Sequence, residues 1–306
     1  MEGAQDQFVT TDLDTLLTAL YVFCDDHLIR PHRPRPGRRK KLSDAELVCL
    51  AVAQVLLGYP SQHHWLRFAH SRLGHLFPYL PRQPGYHKRL VAAAPLIQQA
   101  MQTLATQIPS HTDQLRLLDA TPVPCGTSRE TAKRSDLAGW AGYGYCASYS
   151  RFYWGLKLYL VTTLDGMPVV WCLADPKIGE REVATELLGH AHDLHTFPRG
   201  VVVIGDKGFA GREFERGMTA LGILFVRPDR RDETRRHGNL APIRQRIESI
   251  FSTAKRQLSL EQHGARTPAG VIARVAQRLL ALAAAIWHNW TSGAPAKRSL
   301  IAYDSQ

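Results

Sequence analysis

At 306 residues the chain has room for one large domain or two ordinary ones, and enough length to bury a substantial core. Its 44 % hydrophobic and 21 % charged content is that of a soluble globular protein, which excludes a disordered or low-complexity class. The 38 Lys and Arg against 27 acids leave a net charge of +11, a surplus that favours a polyanionic partner such as nucleic acid or an anionic membrane over an acidic one. Five scattered cysteines without a Cys-x-x-Cys pair argue against a disulfide framework and a Cys-rich zinc site, so a reducing cytoplasm is expected. The first residues show no basic region leading into an apolar stretch, and the longest apolar run, Leu279 to Trp287, is too short to span a bilayer; neither a secretory signal nor a membrane segment is expected.

In chain order, residues 1–29 carry six acids and no Lys or Arg. Residues 30–41 reverse the sign, with seven bases, three prolines and no acid. The prolines forbid a regular helix, so this stretch reads as an exposed arm. Arg38, Arg39, Lys40 and Lys41 are its candidate phosphate contacts, on a DNA backbone or in a minor groove; a solvated linker is the alternative. Ser43 and Glu46 form a capping box that opens a helix with Leu47, Leu50, Ala51 and Ala53 on its apolar face. A second helix is expected after Ser61 and a third from Leu90 to Leu104. Helix, turn and helix permit a DNA-reading motif, although plain helical packing explains them as well. Residues 1–110 are expected to form a helical N-terminal region that is a candidate for DNA binding.

After Pro109 the pattern changes. Residues 114–119 read as a strand ending on Asp119, and residues 152–163 as a second strand. Asp165-Gly166 marks a hairpin turn, and Met167 to Ala174 returns. Residues 180–194 have helical periodicity, residues 200–206 form a short buried strand ending on Asp206, and 212–221 are helical. A short strand at 223–226 and a strong helix at 243–258 follow. The order predicts a mixed α/β fold over residues 111–306.

Two apolar strands that each deliver an Asp to a sheet edge can hold a hard divalent cation through oxygen ligands, although a lone Asp after a strand more often caps the next turn. In the 243–258 helix, Arg244, Glu248 and Lys255 are spaced by four and seven and form one polar stripe. That stripe offers a carboxylate flanked by two phosphate-binding cations; two ion pairs on a solvated face are the alternative. Glu261 is the nearest rival to Glu248. Glu180, Glu182 and Glu186 read as solvated, His190, His192 and His195 as surface histidines, and most of the tryptophans as core.

Arg244-x3-Glu248-x6-Lys255 resembles the Arg-Glu-Lys signature of bacterial insertion-sequence DDE transposases, with Ala241 where those families usually carry Tyr. Asp206-Lys207-Gly208-Phe209 is similar to the turn around their second carboxylate, and Leu118-Asp119-Ala120-Thr121-Pro122 to the stretch around the first. The resemblance implies an RNase H-like mixed-sheet core after the helical region. It also implies Asp119, Asp206 and Glu248 as catalytic ligands of Mg²⁺ or Mn²⁺, as two ions, with Lys207, Arg244 and Lys255 among the DNA contacts. Implied partners are double-stranded DNA, as terminal inverted repeats and target, and a second copy of the chain in the DNA complex. The implied reaction is cleavage at the element's ends and strand transfer. A domesticated DNA-binding protein and a nuclease without strand transfer are the competing readings.

Overall fold

The computed structural model describes residues 12–29, 40–146, 150–230, 233–234, 236, 238–296 and 299–303. Most of the basic arm, Arg38 and Arg39 included, lies outside the described residues, as do Arg231 and Arg235. Among the described residues five helices come first: α1 (Asp12–His27), α2 (Asp44–Leu56), α3 (Gln62–Arg72), α4 (Gln83–Ala92) and α5 (Ala94–Thr106). The capping box opens α2 as its sequence predicts. Glu46 N–H donates to Ser43 Oγ at 3.0 Å and Glu46 Oε2 accepts from Ser43 N–H, an arrangement that stabilises a helix start by about 1 kcal/mol. Lys40, at the end of the arm, pairs with Asp44 at 2.7 Å, and Lys41 lies over the Tyr79 ring. The single helix expected from Leu90 to Leu104 is instead two. The break falls at Ala93, because Pro95 fits the first turn of α5 but has no N–H with which to continue α4.

A six-stranded mixed sheet follows the Pro109–His111 turn. It is built from β1 (Leu115–Gly126), β2 (Gly142–Cys146), β3 (Arg151–Thr162), β4 (Pro168–Ala174), β5 (Val202–Ile204) and β6 (Leu224–Val226). A short helix, α6 (Arg129–Arg134), lies between β1 and β2, α7 (Glu180–Asp193) between β4 and β5, and α8 (Arg212–Ala220) between β5 and β6. Helices α9 (Ala241–Arg256) and α10 (Pro268–Thr291) complete the chain. β1 pairs antiparallel with β3 on one side and parallel with β5 on the other, and β6 runs parallel to β5. β4 and β2 pair antiparallel with successive stretches of the outer edge of β3. This is the mixed-sheet α/β core that was expected after a helical N-terminal region: β1 to β4 are joined by antiparallel pairings and continued by the parallel β5 and β6, and the order β4-β3-β1-β5-β6 is RNase H-like. Gly166 at φ 91° makes the turn between β3 and β4, a backbone conformation that a side chain disfavours.

Directly opposed residues of antiparallel strands project to the same face. Leu117, Val123, Leu156, Leu158 and Leu160 therefore share one face of the sheet, and they pack into a core with Ile247, Ile250, Phe251 and Ala254 of α9 and with α10. Leu118, Tyr159 and Val161 share the other face, covered by Val183, Leu187 and Leu188 of α7 and by Phe214 and Met218 of α8. The 24-residue α10 packs against α5, α2, α1 and α4, so the core on the α9 side is continuous from Leu13 to Tyr303. Among the described residues α10 is the one helix long and apolar enough to cross a bilayer, and it is buried inside the protein along most of its length. The nine-residue apolar run noted in the sequence is its second half.

Candidate active site

Asp119 does not end its strand. β1 continues to Gly126, and Asp119 sits within it opposite Leu160. The strand that stops is β5, whose pairing with β1 covers only Leu115 to Leu117. Beyond that point no described strand accompanies β1 on its β5 side, and Pro122 and Pro124 have no N–H to offer one. The carboxylate thus leaves the sheet at a notch, on the face that carries α9. Its Oδ1 accepts from Ala120 N–H at 2.8 Å.

Asp206 comes two residues after β5 and caps the Lys207–Phe209 turn, its Oδ1 accepting from Lys207 N–H at 2.6 Å. Phe209 roots that turn in an aromatic cluster with Phe214 and Phe225. Gly205 is required between strand and turn, since a Cβ there would lie 2.5 Å from Phe225 Cζ. From the opposite side Arg181 Nη1 donates to the carbonyl of Ala210 at 3.0 Å.

Arg244, in the first turn of α9, joins the second carboxylate to the third. Its Nη2 lies 3.2 Å from Asp206 Oδ1 and 3.8 Å from Glu248 Oε1. A cation at a helix N-terminus is opposed by the helix dipole, so these two carboxylates offset a charge that would otherwise be misplaced. Glu248 is 59 % exposed and available to solvent. The Asp119 carboxyl is pushed up to about 6, first by burial and then by the nearby charges of Asp206 and Glu248, against the opposing pull of Ala120 N–H and Arg244. Three carboxylates from β1, the end of β5 and α9 therefore share one electrostatic neighbourhood. Among the described residues they do not close into a set of three metal-ready ligands. The guanidinium of Arg244 supplies positive charge between two of them.

The other cations of the sequence analysis differ in setting. Lys207 is exposed beside Asp206. Lys255 is largely buried and pairs with Glu261 at 3.8 Å; Glu261 also accepts from Arg151 at 3.0 Å. Glu261, the rival third ligand, is thus committed to two cations. Within the 227–236 stretch, buried Arg227 is held by Glu215 and Glu233, and Arg236 by Asp229 and Glu215. His190, His192 and His195 are exposed, as expected. Glu180 is not simply solvated. It pairs with Lys157 of β3 and reaches the second carboxylate's turn, where a Cβ on Gly208 would come within 2.9 Å of its Oε2. Nothing in the spacing of Lys157 and Glu180 announced that pair, because it forms only when α7 docks beneath the turn.

The family model described as "Transposase DDE domain" matches residues 110–284, more than half of the chain. The chain belongs to the DDE transposase family. It is accordingly a DNA transposase, an enzyme of a family whose chemistry depends on divalent metal. The matched stretch contains all six strands and all three carboxylates of the transposase. No curated protein matches the chain. Among solved structures, the "Crystal structure of a pre-cleavage Mos1 transpososome" is similar at 9 % identity, covering 89 % of this chain and 96 % of that one, with a TM-score of 0.21. A superposition that loose carries no argument about this transposase.

Proposed function

We propose that the protein cuts DNA at the ends of a mobile element and joins those ends to target DNA, using Asp119, Asp206 and Glu248 as ligands for Mg²⁺ or Mn²⁺, as two ions. The observation that supports this reading best is the raised Asp119 carboxyl: a buried carboxylate near two others, with the single guanidinium of Arg244 to offset all three, marks a site with room for more positive charge. Three carboxylates are an all-oxygen donor set of the kind hard divalent cations take. Metal bound there supplies activation of the attacking oxygen and charge stabilisation at the leaving oxygen of an in-line displacement at phosphorus.

The chain's own residues do the rest. Lys207 and Arg244 stand beside the carboxylates, where they contact the phosphates that flank the reacting one. Lys255 reaches DNA only by leaving Glu261. The basic stretch from Arg38 to Lys41 binds the duplex backbone away from the reaction, and residues 1–110 act as the DNA-binding region. Two copies of the chain hold the two ends together. A domesticated DNA-binding protein needs none of the three carboxylates, and a simple nuclease gives no joined product.

The test is a nicking and joining assay on inverted-repeat DNA with and without chelator. The wild type should nick and join only with divalent metal, and Asp206→Asn should bind the same DNA but cut it on the order of 10³-fold more slowly. Even an outer partner of a metal ligand is worth 10- to 100-fold, so a ligand itself should exceed that range. Metal-independent nicking by the wild type, or an Asp206→Asn variant as fast as wild type, would remove the assignment.

A further inference from the structure

The β2–β3 hairpin carries three large aromatic residues into solvent. Tyr145 lies opposite Phe152 and Tyr143 opposite Trp154, so all four rings project to one face. Trp154 is buried, whereas Tyr143 and Tyr145 are about half exposed and Phe152 is 77 % exposed. The Tyr145 and Phe152 rings meet at 5.0 Å and hold each other upright. Exposed apolar rings clustered on a regular strand pair mark a surface that a partner covers.

The position and charge of the hairpin indicate which partner. Trp154 and Leu160 are both on β3 and an even number of residues apart, so the exposed rings lie on the face that carries Asp119. Phe152 is eight residues from Leu160, about 26 Å along the strand. Base contacts at that distance would engage the same DNA molecule that meets the carboxylates. Arg151 and Lys255 both pair with Glu261, which ties the turn end of the hairpin, next to Phe152, to the last turn of α9. On the hairpin's flank, α6 presents exposed Arg129, Lys133 and Arg134, and its Thr131 meets Trp154 over Gly126. Residues 127–153 hold four bases against Glu130 and Asp136. Arg151 is paired with Glu261, and Lys133 and Arg134 share Glu130, which leaves a small positive surplus that favours a polyanion. Basic groups beside upright aromatic rings are the combination that binds single-stranded nucleic acid, because every base has a face to stack while its phosphates meet the cations.

We infer that Tyr143, Tyr145 and Phe152 form a stacking platform for unpaired bases of the DNA on which this transposase acts, with Arg129, Lys133 and Arg134 holding the adjoining phosphates. Unpaired rather than paired bases are specified because a duplex hides its base faces from a side chain that approaches from outside. The inference rests on the transposase reading above. The hairpin does not touch the reacting phosphate; it positions the strand.

The test uses the full chain and two fluorescent probes, a 20-mer of thymidylate and a blunt duplex of equal length, with affinity read by anisotropy across a salt titration. Tyr145→Ala and Phe152→Ala should each weaken binding of the single strand roughly 5- to 150-fold and leave duplex binding within about twofold. Phe152→Trp should restore the single-strand affinity, which a merely structural role would not predict. Thermal melting of the same samples should stay at the wild-type value, as befits side chains in solvent. Unchanged single-strand affinity in both alanine variants overturns the inference. So does a fall in sedimenting mass with single-strand affinity intact, which assigns the rings to contact between copies. A wild type that neither binds these probes nor nicks with metal defeats the transposase reading itself. A wild type that does both, with variants that match it, defeats the platform alone.

Discussion

Asp119→Asn should lose metal-dependent strand cleavage on the order of 10³-fold while the metal-free protein becomes more stable. The two effects have one origin. Burial and the charges of Asp206 and Glu248 hold the Asp119 carboxyl at about 6, against an ordinary value of 3.8, so keeping it ionised at pH 7.5 works against the fold. A shift of about two units corresponds to ~3 kcal/mol. Asparagine removes the charge, keeps the volume and can still accept from Ala120 N–H through its carbonyl oxygen. We expect about 1–3 kcal/mol of added stability in chelator, seen as a rise of roughly 2–5 °C in Tm. The same substitution takes a hard anionic oxygen from the metal site, and cleavage should fall accordingly. Calorimetry in chelator and a nicking assay titrated with Mg²⁺ check both halves. A variant that melts below wild type, or that nicks within tenfold of it, contradicts the reading of Asp119 as a charge held in place for a cation.

Arg278→Ala should have the second largest effect, this time on the fold alone. Arg278 is 1 % exposed, and among the described residues no carboxylate pairs with it. Its Nε donates to the Ser259 carbonyl at 3.0 Å and its Nη1 to the Arg274 carbonyl at 2.9 Å. Arg274 in turn donates to His263 O, Pro60 O, Gln54 Oε1 and Gln277 Oε1. These two guanidiniums of α10 pin the 259–263 segment, where Ser259 is left-handed at φ 53°, and link it to the N-terminal helices. Truncating Arg278 leaves a cavity and takes a side-chain donor from two carbonyls, of which Ser259 O still accepts from Gln262 N–H. The change should cost about 2–5 kcal/mol and lower Tm by roughly 3–8 °C. Arg278→Met fills the volume without a charge and should recover part of the loss. Equal melting of Arg278→Ala and wild type would show that the network is dispensable.

The same network makes the fold sensitive to acid through His263. Its Nε2–H donates to Pro124 O at 3.0 Å and its Nδ1 accepts from Ala265 N–H at 3.1 Å, which fixes the neutral tautomer. Burial first, then the neighbouring Arg278 and Arg274, push its pKa down to about 4, against the bond to Pro124. A depressed folded value means that this contribution is complete above pH 6.5 and is lost as pH falls toward 4, because the unfolded chain takes up a proton that the folded one refuses. The loss should approach about 3 kcal/mol. Asp119 acts with the opposite sign in the overlapping window from about 6 to 3.8, so denaturation is best compared in the Asp119→Asn background. There, His263→Gln should flatten the fall in stability between pH 6.5 and 4, whatever it does to stability at pH 7.5. An unchanged slope would assign the acid sensitivity to other groups.

Much of the candidate site was legible in local spacing. Asp206 followed an apolar strand and preceded a turn, and Glu248 sat in register with Arg244, and both features are present as read. Asp119 was found for a partly mistaken reason. The apolar run predicts a strand that ends there, whereas β1 runs on to Gly126 and it is its neighbour β5 that ends. A single strand's sequence does not say how far the next strand accompanies it. The break between α4 and α5 was readable at Pro95, but the continuous apolar face on both sides concealed it.

The amino-acid sequence by itself determined α2, α3 and the order of elements from β3 to α9, though not α1, α6, β2 or α10, together with the α2 cap, the β3–β4 turn at Gly166 and the three acidic residues on which the family likeness rests. Each depends on neighbours within about seven positions, where periodicity and capping act. Tertiary structure alone decided that Arg244 bridges Asp206 and Glu248, that Lys255 turns to Glu261, that Lys157 and Glu180 brace the second carboxylate's turn, and that Tyr143, Tyr145 and Phe152 stand in water. Those outcomes depend on which face of a sheet a helix covers and where a neighbouring strand stops. Burial and charge settle most of them among residues tens to more than a hundred positions apart, and Lys255 meets Glu261, six positions on, because the chain turns back at left-handed Ser259.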